Sequence, residues 1–143
     1  MSRIGAHTVL LENRPYILAS AALGGCKETE GPLGGCFDIQ LDDDKFGESS
    51  WEKAESKMQK ETIHKLLQKA QLAPSDVQYI FAGDLLNQCI SSSFGLRDFG
   101  IPFFGLYGAC STMAEGLSLA SMIVEGGFAT RCIALTSSHF ASA

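Results

Sequence analysis

Gly108-Ala109-Cys110-Ser111-Thr112 lies between an apolar run, Ile101 to Tyr107, and a small-residue amphipathic segment, Met113 to Val124. That order reads as strand, tight turn, helix. The first turn of a helix presents unsatisfied N–H groups and the positive end of the helix dipole. A cysteine at such a junction is favoured as the thiolate, a nucleophile or an anion contact. The stretch therefore predicts half of a Cys-centred acyl-transfer scaffold, whether or not the chemistry survives.

Outward from the turn, the same alternation repeats. Toward the C-terminus, Gly126-Gly127 stops the helix, and Cys132 to Thr136 reads as a buried strand leading into Ser137-Ser138-His139. Toward the N-terminus, Pro102 to Leu106 reads as a strand, preceded by a short helix from about Ser92 to Asp98. Val77 to Ala82 is nearly continuous in apolar character, as in a strand covered on both faces, and Gly83-Asp84 ends it. Before that, Trp51, Ala54, Met58, Thr62, Leu66 and Ala70 recur at spacings of three and four, with Ile63 and Leu67 beside them. This predicts an amphipathic helix lying on a sheet, with Ser49 as its cap and Glu52 completing a capping box.

Further upstream, Thr8 to Leu11 and Tyr16 to Leu23 flank the turn residues Glu12-Asn13-Arg14-Pro15 and predict two strands in a hairpin-like arrangement. A glycine-punctuated loop then runs to about Gly47. The whole pattern predicts an α/β layered fold. Ala114, Gly116, Ser118, Ala120 and Ser121 spread small residues around the last helix, so it is expected to be central, enclosed between layers. Termination just after an apolar strand would expose a sheet edge, which predicts a piece of something longer or a covering partner.

Composition narrows the function. The 143 residues fit one domain, 45% apolar and 19% charged, with net charge −5 and no basic cluster, which argues against a nucleic-acid partner. The five cysteines are scattered without a C-x-x-C pair, and no long apolar leader opens the chain, so reduced thiols and cytoplasmic synthesis are expected. Ile101 to Val124 is long enough to span a bilayer, but glycines and Glu115 interrupt it, and a strand followed by a helix fits better. Asp42-Asp43-Asp44 fails the EF-hand pattern, since Phe46 and Lys53 fall where ligands belong. No zinc spacing and no phosphate-binding glycine loop appear, so neither metal nor cofactor is expected.

Several segments together resemble the stage V sporulation protein AD family: Phe81 to Gln88 with its Gly-Asp-Leu-Leu-Asn-Gln, Ile101 to Phe103, and Tyr107 to Thr112. Gly126 to Ala129, Thr136 to His139, and Glu30 to Gly34 followed by Phe37-Asp38 complete the set. The resemblance runs nearly end to end, although Ala-Cys-Ser is shared with ketoacyl synthases and thiolases generally. It implies a thiolase-like fold of two similar halves, each with a five-stranded mixed sheet around central helices. This chain would be the first half, residues 1–143, lacking that half's last helix and strand. The resemblance also implies a role in spore formation: binding dipicolinic acid, or its calcium complex, and assisting its uptake with membrane-bound proteins encoded alongside. A peripheral place at the spore inner membrane follows from that, as does a homodimer seam along Ile101 to Leu106.

Those expectations converge on a short set of residues. Cys110 holds the nucleophile position, and Ser111 and Thr112 offer hydroxyls at a helix N-terminus, a cradle for a planar dicarboxylate. Asp84 can supply a hard oxygen to an accompanying calcium, or else cap the turn after its strand. His139 stands where a pocket wall would be, with Asn87 and Gln88 as weaker candidates; His7 and His64 carry no expected role. A non-catalytic binder is the expected function, because the His and the Asn or second Cys that thiolase-type chemistry requires are not visible. The alternative is a Cys-dependent acyltransferase, and a third reading is a peripheral assembly factor without a small ligand.

Overall fold

The computed structural model describes residues 2–86 and 88–138. Asn87 and His139, both named above, lie outside the described residues.

The segments expected to form a layered α/β core do so. Helix α2 (Trp51–Ala70), strand β5 (Tyr79–Asp84), helix α3 (Ile90–Leu96), strand β6 (Phe103–Gly105), helix α4 (Thr112–Glu125) and strand β7 (Cys132–Ser137) follow in that order. The sheet they share is parallel, ordered β6-β5-β7, with Ile80 opposite Phe103 on one side and Ile133 on the other. It holds three strands among the described residues.

Side-chain alternation along β5 assigns the layers. Ile80 and Ala82 face the core shared with Ile63 and Leu67 of α2, Leu96, Phe99, Ile133 and Leu135. The intervening positions face α4: a Cβ at Gly83 would sit 2.8 Å from Thr112 Cγ2, and one at Gly116 would sit 3.4 Å from the Ala134 Cβ. Helices α2 and α3 therefore cover one face and α4 the other. At Gly83 the same Cβ would come within 2.1 Å of the Leu106 carbonyl oxygen, so only glycine admits this approach.

Helix α4 departs from the expectation of an enclosed helix. It buries Thr112 and Gly116 against the sheet and Glu125 against the Glu12–Asn13 backbone, while Met113, Leu117 and Met122 stay exposed. The small residues allow close contact on the sheet side; the opposite side carries apolar surface with no described layer upon it.

Helix α2 is capped by Ser50, not Ser49: the Ser50 hydroxyl accepts the Lys53 N–H at 3.3 Å. The Ser49 hydroxyl instead accepts from the Lys53 ammonium. Its buried stripe is Ala54, Glu55, Gln59, Ile63 and Leu67, rotated from the expected one. Trp51, Met58, Thr62, Leu66 and Ala70 are only half-buried, because the sheet meets the helix along the 55-59-63-67 row. The helix ends with Gln71 in the left-handed region, its N–H on the Gln68 carbonyl.

The N-terminal region also differs. The hairpin forms between β1 (Ser2–Ile4) and β2 (Thr8–Leu10), turning at Gly5 with φ +66°. Tyr16 to Ala22 does not pair with it; Tyr16, Ile17 and Leu18 are exposed. Only β3 (Leu23–Gly24) joins a strand, parallel to β4 (Ile39–Gln40), with the short helix α1 (Cys26–Thr29) between them. Asp38 fixes this corner by accepting the Ala22 N–H at 3.0 Å and the Lys69 ammonium at 2.7 Å. The hairpin preference fails because Arg14-Pro15 turns the chain away, and Glu125 accepts the N–H groups of Glu12 and Asn13. No helix among the described residues is long and apolar enough to cross a membrane.

Candidate functional site

The C-terminal ends of β5, β6 and β7 meet at one rim of the sheet, the edge at which open parallel sheets hold ligands. Asp84 closes β5, Gly105 closes β6 and Ser137 closes β7.

Cys110 sits in the middle of a 3-10 turn, Ala109–Ser111, that feeds directly into α4. It is exposed. The turn is held by its own groups: the Ser111 hydroxyl and N–H both donate to the Gly108 carbonyl, at 2.7 and 3.0 Å. Gly108 N–H donates to the Thr112 hydroxyl at 3.2 Å. Ala109 adopts φ +49°, a left-handed conformation that costs a non-glycine residue about 1–2 kcal/mol. This turn projects the thiol outward beside the helix start. Ser111 is exposed and Thr112 buried, so the two hydroxyls differ in access.

Asp84 lies inward of that turn, 2% exposed. One carboxylate oxygen accepts both the Ser92 N–H at 2.9 Å and the Ser92 hydroxyl at 2.7 Å. It thus caps α3 from the end of β5, the structural use of Asp that the sequence left open. Its other oxygen, Oδ1, is buried without a hydrogen bond. Beside it, Gln88 and Cys89 both adopt left-handed backbone, φ 56° and 68°. The Cys89 thiol donates to the Leu106 carbonyl at 3.1 Å. Burial pushes its pKa up, and the Asp84 charge pushes it further, so Cys89 is a poor nucleophile next to exposed Cys110. Three strained non-glycine residues thus surround the ends of β5 and β6, a concentration typical of functional sites.

Sequence reading did not anticipate the polar network behind Asp84. Glu55 and Gln59 of α2 are 0% and 1% exposed. Glu55 accepts the Ser137 hydroxyl at 2.7 Å and the Ser91 hydroxyl at 3.2 Å. Gln59 donates to Ser92 at 3.0 Å and to Ser137 at 2.6 Å. The available signal was their i,i+4 register with Ile63 and Leu67, which places two polar residues in line with the apolar row.

Cys110, Ser111, Thr112 and Asp84 line neither of two cavities of about 440 and 430 Å³. Those form a slot between Tyr16–Leu23 and β7, floored by α2 and roofed by α4. Among the described residues no group of three or more His, Cys, Asp or Glu is placed to hold a metal ion.

The model of stage V sporulation protein AD matches residues 5–143. The chain belongs to the stage V sporulation protein AD family. Stage V sporulation protein AD of Bacillus subtilis (strain 168) is 39% identical over 143 residues, which is all of this chain and 42% of the relative. The chain therefore spans less than half the length of that family member, and in the family frame the Cys110 turn and the rim of β5, β6 and β7 belong to its matched part.

Proposed function

We propose that this chain supplies part of a dipicolinic acid site in a non-catalytic, thiolase-like sporulation protein. The observation that carries the reading is the exposed Cys110 thiol on a strained turn at the start of a 14-residue helix, at the rim of parallel strands. A helix N-terminus favours an anion, and dipicolinate is a planar ring with two carboxylates. Uptake into the developing spore with membrane-bound partners, peripheral placement at the spore inner membrane and dimerisation along Ile101 to Leu106 extend the same reading. Among the described residues no strand pairs with the outer edge of β6, and Phe104 is exposed there, in keeping with such a seam.

Calorimetry of the protein with dipicolinate tests the reading. Cys110→Ala is expected to weaken binding about tenfold, a single lost contact to charge. Asp84→Asn keeps the cap on Ser92 and tests whether the carboxylate charge, and with it calcium, matters. Equal affinity in wild type and Cys110→Ala would place the ligand elsewhere. An acyltransferase reading draws on the same exposed thiol; it requires an acyl adduct on Cys110 after incubation with acyl-CoA, detected by mass spectrometry.

A further inference from the structure

The Ser92 and Ser137 hydroxyl protons beside Gln59 are already committed. Ser92 gives its proton to Asp84 at 2.7 Å, and Ser137 gives its proton to Glu55 at 2.7 Å. Both hydroxyl oxygens can therefore only accept from residue 59, which fixes its side-chain amide with Nε2 toward them. One NH₂ group meets both demands, at 3.0 Å to Ser92 and 2.6 Å to Ser137. Ser92 lies in the first turn of α3 and is bound to the end of β5; Ser137 ends β7. A single amide on α2 thus spans the ends of two neighbouring strands at the rim where the site stands.

We propose that Gln59 is a positioning residue of the rim site, setting the spacing of the β5 and β7 ends and holding the Asp84 carboxylate on Ser92. The proposal rests on the rim being the ligand site. A glutamate at 59 has the same shape but no hydrogen to give. Its carboxylate would face hydroxyl oxygens whose protons belong to Asp84 and Glu55. The titratable groups facing it, among the described residues, are Glu55 on its own helix and Asp84 on β5, with Cys89 beyond Asp84; α3 and β7 contribute Ser91, Ser92 and Ser137. Two carboxylates nearby and burial both favour protonation of a third. A protonated glutamate regains one donor, so the defect is expected to fade as pH falls. Leucine at 59 fills similar space and regains nothing.

The test uses the protein as wild type, Gln59→Glu and Gln59→Leu, titrated with dipicolinate at intervals from pH 8 to pH 6. Hydrogen exchange of the peptides containing Ser92 and Ser137 is measured at each pH against wild type. Expected is about tenfold weaker binding for Gln59→Glu at pH 8, the loss of two neutral hydrogen bonds, recovering toward pH 6. Gln59→Leu is expected to stay weak throughout, with faster exchange in both peptides. Gln59→Glu and Gln59→Leu behaving alike at every pH, or either matching wild type, would overturn the proposal. Should wild type itself bind no dipicolinate, the ligand reading fails. The exchange data then decide alone: pH-dependent loosening of both peptides in Gln59→Glu supports the positioning role, and unchanged exchange ends it.

Discussion

A single missing Cβ decides how closely the Cys110 turn approaches the sheet. Gly83 lies beneath both the Leu106 carbonyl and the Thr112 methyl, so any side chain there pushes the start of α4 off β5. Backbone sits on one side and a buried threonine on the other, leaving no flexible neighbour to yield. Gly83→Ala is expected to cost about 3 kcal/mol, the upper end of overpacking penalties, seen as a lower midpoint of urea unfolding. A neutral result would mean that the turn stands further from the strand than described. The thiols make a second residue-scale prediction. Cys36 and Cys110 are exposed, whereas burial raises the pKa of Cys132 and of Cys89. Alkylation at neutral pH is expected to modify Cys36 and Cys110 first, since only thiolate reacts. Mass spectrometry of early time points that found Cys132 labelled ahead of Cys110 would contradict the described burial.

Elements were legible where one periodicity dominated. Strands β5 and β7, the turn at Cys110 and helix α4 all fall within a few residues of their expected bounds, because apolar runs bounded by glycine leave little choice. Helix α2 was legible as a helix but not in its rotation. Glu55 and Gln59 carry no apolar signal to mark them as buried, and their partners Ser91, Ser92 and Ser137 are far away in sequence. The Tyr16 to Leu23 run misled for a related reason: it is apolar enough for a strand, yet strand formation needs a neighbour, and only Leu23 and Gly24 find one. What holds its C-terminal end is an ion pair. Asp38 joins that segment to α2 through Lys69, and the Lys69 hydrogen bond, aided by the Ala22 N–H, holds its pKa below 3.8. A carboxyl depressed in the folded state stabilises above its ordinary value and loses that contribution as pH falls through the folded one. Wild type is therefore expected to lose more stability than Asp38→Asn between pH 5 and pH 2, in denaturant titrations. Parallel pH profiles for the two proteins would remove the ion pair from the stabilising set.

At the scale of the molecule, three apolar surfaces lack a covering layer among the described residues. The outer edge of β7 faces a slot whose far wall is Tyr16 to Leu23; α4 exposes Met113, Leu117 and Met122; and β6 exposes Phe104. Unpaired edges and contiguous apolar patches are the surfaces that associate or collapse in water. The layered α/β architecture was legible because alternation of strand and helix is local. Whether α4 would be enclosed was not, since small residues around a helix permit close neighbours without supplying them; the chain spans 42% of its Bacillus subtilis relative. The 143 residues produced alone are expected to bind a hydrophobic dye and to sediment as more than a monomer. The longer Bacillus subtilis relative is expected to bind far less dye per mole. A monomeric, dye-silent 143-residue chain would mean that these surfaces close upon one another, with Tyr16 to Leu23 moving onto the β7 edge as a fourth strand. Hydrogen exchange would then show new protection in Tyr16 to Leu23 and along the outer edge of β7.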